Sequence, residues 1–324
     1  MFTEFSYQIE NYMLYCDAKS LTTKTKASYE QSLGLFGAYL QNHHKITDAR
    51  DVKAVHIRAY IKHLKERGKY TVVNDEASRA TNDPSNRKDL NKPISITTVA
   101  NYLRNIKVFF NFLVAEREIK VSPAENIPHI KPERKKKSLL SESQLRQIMH
   151  SFDTTTFHGF RNWCMTRLIL DTGARIGECV NLKPKDVDFK TRTILITNPK
   201  NRKQRYVFIS LKFAKELRRW MLYRDRYSDS EYLFPTNRGN KQDTSLYAVA
   251  LKKAGKEIGV DVSPHLLRNN FAKYYLLNGG DFATLSRILG HTSVDVTMRA
   301  YLDFSEDEIG RKYQKHSPLN NMRL

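Results

Sequence analysis

Apolar positions recur at helical spacing along much of the chain. From Thr22 to Leu40 they fall at Tyr29, Leu33, Leu35, Phe36, Tyr39 and Leu40, close to a 3.6-residue period, and the pattern resumes over 56–64. Beginning near Ser95, the residues Val99, Leu103, Ile106, Phe109, Phe110 and Leu113 form one apolar face, the clearest amphipathic helix of the N-terminal half. Between these helices the stretch TVVNDEASRATNDPSNRKDLNKP is polar and rich in turn formers, and it reads as a long surface loop. The pattern predicts a small helical unit that ends near residue 120.

Over 121–137 the pattern breaks. Pro123, Pro128 and Pro132 precede the basic run Arg134 to Lys137, and together they resist regular structure and leave a cationic connector, where the domain boundary is expected. Beyond it Ser141 to Gln144 is a capping box, and 162–170 reads as a buried helix. Thr193 to Thr197 and Tyr206 to Ile209 are rich in β-branched and aromatic residues around a polar connection over 198–205, the signature of a β-hairpin. The expected fold is mainly α with a small β-sheet or hairpin. It consists of a helical domain over 1–120, a basic linker over 121–137, and a mixed α+β domain over 138–324 whose tail, 305–324, opens on the capping pattern SEDE.

Length agrees with two domains, since 324 residues exceed one ordinary core. A hydrophobic share of 40% and a charged share of 27% are globular values and exclude a disordered or fibrous chain. Charge narrows the partners: 55 Lys and Arg against 34 Asp and Glu give +21, the footprint of a protein that meets a polyanion, with nucleic acid ahead of an acidic membrane. Residues 131–324 carry most of it, 36 basic against 20 acidic. Cys16, Cys164 and Cys179 have no metal-ligand spacing, which points away from a disulfide scaffold and toward a reducing, cytoplasmic setting. No 18-residue apolar run occurs, and the first residues lack the pattern of a signal peptide.

Three short segments hold the chemistry. Ser263-Pro264-His265 opens a helix with a capping serine and a proline at its first position, so His265 and Arg268 share a face near its N-terminus, an arrangement suited to phosphate. Leu289-Gly290-His291-Thr292 reads as a helix end at glycine, a histidine in the turn and a fresh capped start, with Tyr301 two to three turns further on. Thr172-Gly173-Ala174-Arg175-Ile176-Gly177-Glu178 sets an arginine between two glycines directly after an apolar stretch. Each has an ordinary reading alone: Arg175 as partner of Glu178 or Asp171, His265 at a helix end, His291 in a turn, Tyr301 in a core. The spacing of Asp171, Glu178, Asp186 and Asp188 fits an acidic helix face and a turn better than a metal site.

As an ordered set, DTGARIGECVNLKPKDVDF, SPHLLRNNFA and LGHTSVDVTMRAYLDF resemble the catalytic half of the tyrosine recombinases, also called phage integrases, strongly over 138–304. TTKTKASYEQSLGLFGAYL and ITTVANYLRNIKVFFNFL are similar to the family's helical, SAM-like core-binding domain, which extends the resemblance over nearly the whole chain. It implies a site-specific recombinase of integrase or transposase type that cleaves and rejoins double-stranded DNA through a 3′-phosphotyrosyl intermediate, with no cofactor or metal. It implies Arg175 and Arg268 on the scissile phosphate, His265 and His291 as their partners, Tyr301 as nucleophile, and Lys200, or failing it Lys203, as the hairpin lysine. A homo-tetramer on two paired sites and a role in a mobile element follow from the same resemblance. The rival readings are a non-cleaving DNA-binding protein of the same fold and a type IB topoisomerase-like enzyme.

Overall fold

The structure is a computed structural model, and it describes residues 3–72, 83, 85, 87–133, 139–197, 204–291, 293–301, 306, 310 and 313–314. The chain divides into two compact units, Met1–Lys135 and Lys136–Leu324.

The first unit is built from helices α1 (Glu4–Ala18), α2 (Thr23–His44), α3 (Ala54–Glu66) and α4 (Ile96–Ala115). Their starts are set locally: the side chains of Thr3, Thr22 and Ser95 each accept a backbone N–H of the first turn, satisfying donors that the helix itself cannot. The apolar face of α4 is buried as its period requires, with Val99, Leu103, Ile106, Phe109, Phe110 and Leu113 at most 2% exposed. Each such side chain contributes about 2 kcal/mol of transfer free energy. Phe5, Tyr12 and Phe36 complete an aromatic core around Phe109. The proline-rich segment after α4 is less open than its composition predicts. It has no helix or strand through residue 133, yet Ala124 and Ile127 are buried on this core, because a turn places these two apolar residues on one side. The basic run 134–137 and most of the 73–86 loop lie outside the described residues.

The second unit begins with α5 (Glu142–His150), whose Ser141–Gln144 capping box forms as expected, and α6 (Phe157–Thr172). The short α7 (Ile176–Cys179) follows, then an antiparallel sheet of β1 (Val187–Asp188), β2 (Thr193–Ile196) and β3 (Arg205–Phe208) in sequential order. β2 and β3 make the hairpin, in a register that pairs Ile194 with Val207 and Ile196 with Arg205. β1 was not legible in the sequence, since two residues carry no periodicity. The helices α8 (Leu211–Arg224), α9 (Thr244–Glu257), α10 (Pro264–Leu277), α11 (Phe282–Leu289) and α12 (Val294–Tyr301) follow. α6 lies at its centre, against α8 and α10. Polar groups carried into this core are paired: Thr166 with the Tyr247 hydroxyl at 2.8 Å, and Trp220 Nε1 donating to the Leu233 carbonyl at 2.9 Å. Asn270, buried on α10, accepts from the Leu140 amide and donates to the Leu266 carbonyl, which anchors α10 to the start of the unit.

Candidate active site

α6 ends where Gly173 takes the left-handed conformation (φ 65°), and a Cβ there would meet Phe271 at 2.4 Å and Leu289 at 2.8 Å, so only glycine fits. The chain reverses through buried Ala174 and delivers Arg175 to the N-cap of α7, with its side chain one-third exposed. Arg175 pairs with Glu178, as its ordinary reading anticipates: Nη1 donates to Oε1 at 3.0 Å, and the backbone N–H donates to Oε2 at 2.8 Å. Asp171 instead accepts the Ser210 amide at 2.7 Å.

α10 carries His265 on its first turn, exposed, and Arg268 one turn on, only 4% exposed. The Arg268 guanidinium donates to the carbonyls of Gly173 and, at 2.8 Å, of Leu289, so it joins the end of α6 to the end of α11. Its Nη2 also donates to Nε2 of His291 at 3.2 Å.

His291 stands in the turn after α11, which stops at Gly290 (φ 64°). A guanidinium can only donate, so Nε2 is the acceptor; the neutral ring then carries its proton on Nδ1 and donates to Thr297 Oγ1 at 2.7 Å. Burial, followed by the positive charges of Arg268, Arg175 and Arg205, pushes His291 down to about 4, which keeps it neutral at physiological pH. Thr297 is fully buried on α12, and Tyr301 stands on the same helix one turn further on. Lys200, Lys203 and the expected cap Thr292 lie outside the described residues.

Two contributors were missed in the sequence. Arg205, lost among the basic residues of PKNRKQR, is 10% exposed and grips Glu178 with both terminal nitrogens at 2.8 Å. Burial opposes ionisation of Glu178, but the hydrogen bonds and charges of Arg205 and Arg175 together outweigh it and hold the carboxyl below its ordinary range. Thr297, in TSVDVTMRAY, looks like any helical threonine until the fold sets it against His291. The outcome is a cationic site in which guanidinium groups from three separate segments stand near one neutral histidine. Such a site suits a tetrahedral anion, which accepts hydrogen bonds from several directions. Among the described residues no group of His, Cys, Asp and Glu side chains is arranged to hold a metal ion.

A family model described as the phage integrase family matches residues 138–308. The chain belongs to this family, the tyrosine recombinases. Among curated relatives of this tyrosine recombinase, tyrosine recombinase XerC of Oceanobacillus iheyensis is 28% identical over 236 residues, covering 70% of this chain and 77% of the relative. Tyrosine recombinase XerD of Lacticaseibacillus casei is 26% identical over 317 residues, 96% and 98% of the two chains. Among solved structures, the Tn1549 transposon integrase in complex with transposon right end DNA is similar with a TM-score of 0.73 at 17% identity, covering 96% of this chain and 99% of that one. The XerH site-specific recombinase bound to its palindromic difH substrate gives 0.66 at 18% identity, covering 92% and 81%. The mainly helical fold with its small antiparallel sheet is therefore that of the tyrosine recombinases.

Proposed function

We propose that this tyrosine recombinase cleaves and rejoins duplex DNA without metal or cofactor, with Tyr301 as the nucleophile and Arg175, Lys200, His265, Arg268 and His291 around the scissile phosphate. The observation that carries this reading is the convergence of Arg268, Arg175 and His291, which the chain spreads over more than a hundred residues.

A phosphodiester is anionic and repels nucleophiles, so most of the protein's contribution lies in placing the groups and neutralising charge on the non-bridging oxygens. Arg175 and Arg268 supply that charge. Arg268 is already immobilised on two carbonyls, so little reorganisation is left for the reaction itself. When a phosphate takes up its donors, the negative charge offsets the field that disfavours a proton on His291, and Nε2 can then donate to a non-bridging oxygen. Tyr301 loses its phenolic proton as it attacks phosphorus, and His265 accepts it as general base. Lys200 protonates the departing 5′ oxygen. The resulting 3′-phosphotyrosyl bond is resealed by a 5′ hydroxyl of a second strand, giving a recombinant junction. Because each protomer supplies one tyrosine, exchange of two duplexes needs four protomers, and double-stranded DNA is the partner. The likeness to a transposon integrase favours service to a mobile element, carried out in the cytoplasm.

The test begins with selection of a binding sequence from a randomised duplex pool. That sequence is then built into a nicked suicide substrate and incubated with EDTA and without ATP. A covalent protein–DNA band with the wild type and none with Tyr301→Phe is expected. A band that persists with Tyr301→Phe reassigns the nucleophile, and bound but uncleaved DNA in both lanes favours the non-cleaving alternative.

A further inference from the structure

Arg205 joins the separate parts of this site, and the chemistry above does not use it. Nη1 and Nη2 donate to the two Glu178 oxygens at 2.8 Å each, and Nε donates to the Ile288 carbonyl at 2.9 Å. The side chain also lies against the next turn, since a Cβ on Gly290 would sit 3.0 Å from Arg205 Cδ. With 10% exposure and its donors directed inward, it is a strut more than a surface cation for DNA. Its three attachments span β3, the carboxylate that holds Arg175, and the end of α11 three residues before His291.

The carboxylate explains why the strut matters. Glu178 is 4% exposed as a side chain and needs cations to stay ionised. Arg205 meets both of its oxygens, so Arg175 commits only Nη1 of its side chain to Glu178, and its Nε and Nη2 make no hydrogen bond among the described residues. Without Arg205, the buried carboxylate would depend on Arg175 alone and draw that guanidinium into a tight pair, in competition with a phosphate. The turn that carries His291 would lose its tie to the hairpin at the same time.

We propose that Arg205 is a positioning residue for strand cleavage, acting through Glu178 and the Ile288 carbonyl to keep Arg175 available and the His291 turn in register with the hairpin. The proposal rests on the recombinase reading above. Arg205 also begins β3 directly after the connection that contains Lys200 and Lys203, so one residue links the base of that connection to the anion-binding groups.

Charge at the scissile group separates positioning from general structural support. Two nicked substrates are compared, one with the natural phosphodiester and one with a neutral methylphosphonate at the same linkage, where an arginine has less charge to neutralise. Arg205→Ala should slow cleavage of the phosphodiester about 100-fold, the loss typical of a misplaced catalytic group, and slow the methylphosphonate about tenfold or less. Arg205→Lys should recover part of the phosphodiester rate. In a double-mutant cycle, Arg205→Ala with Glu178→Gln should be no slower than the slower single variant, because the carboxylate that needs the strut is gone. Equal losses on both substrates, or additive losses in the cycle, would overturn the proposal. If Arg205→Ala does not fold, Arg205→Lys supplies the comparison, with a smaller loss on the phosphodiester that still exceeds its loss on the methylphosphonate. A wild type that forms no adduct overturns the recombinase reading together with the proposal, whereas a cleaving wild type with an unchanged substrate ratio in Arg205→Ala overturns the proposal alone.

Discussion

The Arg268 guanidinium donates to His291 Nε2 at 3.2 Å, while the opposite ring nitrogen of His291 donates to Thr297 at 2.7 Å. One ring nitrogen of the imidazole is thus fixed by a cation and the other by the helix that carries Tyr301. A positive field and burial make a second proton costly here, and an arriving phosphate relieves the first of these.

This relationship makes stability depend on pH. His291 is pushed from 6.5 down to about 4 in the folded chain, so between those values the unfolded chain binds more protons, and stability falls as pH drops from about 6.5 toward 4. The loss amounts to no more than on the order of 3 kcal/mol. Urea denaturation across that window should show the slope in the wild type and a flatter one in His291→Gln. Bound DNA should raise the His291 pKa, visible as an upfield-to-downfield change of its ring proton resonances at a fixed pH near 5.5.

Gly173 and Gly177 look alike in TGARIG but should respond oppositely to alanine. At Gly173 the left-handed backbone and the contacts with Phe271 and Leu289 make Gly173→Ala cost about 2–4 kcal/mol. Cleavage should fall with it, because the displaced carbonyl is one that holds Arg268. At Gly177 nothing lies within 4 Å of a Cβ, so Gly177→Ala should be neutral or stabilising by up to about 1 kcal/mol. Thermal melts of the two variants check both signs.

Arg161 is 4% exposed on α6, and burial lowers its pKa to about 10. It donates to the Pro235 carbonyl at 3.0 Å and to Asn162 Oδ1. Arg161→Met would leave these acceptors without their donor and should cost about 1–3 kcal/mol, read as a lower denaturation midpoint. Because this strut belongs to the core rather than to the anion site, the rate of adduct formation by the folded fraction should not change.

DNA binding should weaken steeply with salt. The +21 charge predicts that phosphate contacts dominate, with a loss of roughly a thousandfold in affinity between 50 and 200 mM salt if about six are made. Fluorescence anisotropy at several salt concentrations gives the slope, and a flat response would contradict the electrostatic reading.

Many local elements of the fold, including those that carry the candidate site residues, were legible in the sequence because they depend on short local contexts. The α4 face, the Ser141–Gln144 capping box, the proline start of α10 and the glycine end of α11 depend on neighbours within about four residues, and all of these formed. β1 was not legible, because two residues become a strand only when β2 is beside them. The packing of Ala124 and Ile127 on the first core was hidden by the prolines around them.

The sequence by itself therefore determined the helical frame, the cationic character and the order of the Arg, His-x-x-Arg, His and Tyr segments, since each is a property of composition or of near neighbours. Only the tertiary structure decided that Arg268 spans the Gly173 and Leu289 carbonyls, that His291 is neutral with its proton directed to Thr297, and that Arg205 reaches both oxygens of Glu178. Those relationships join residues between 6 and 95 positions apart. Their donors, acceptors and charges are set by distance in space, which no local spacing encodes.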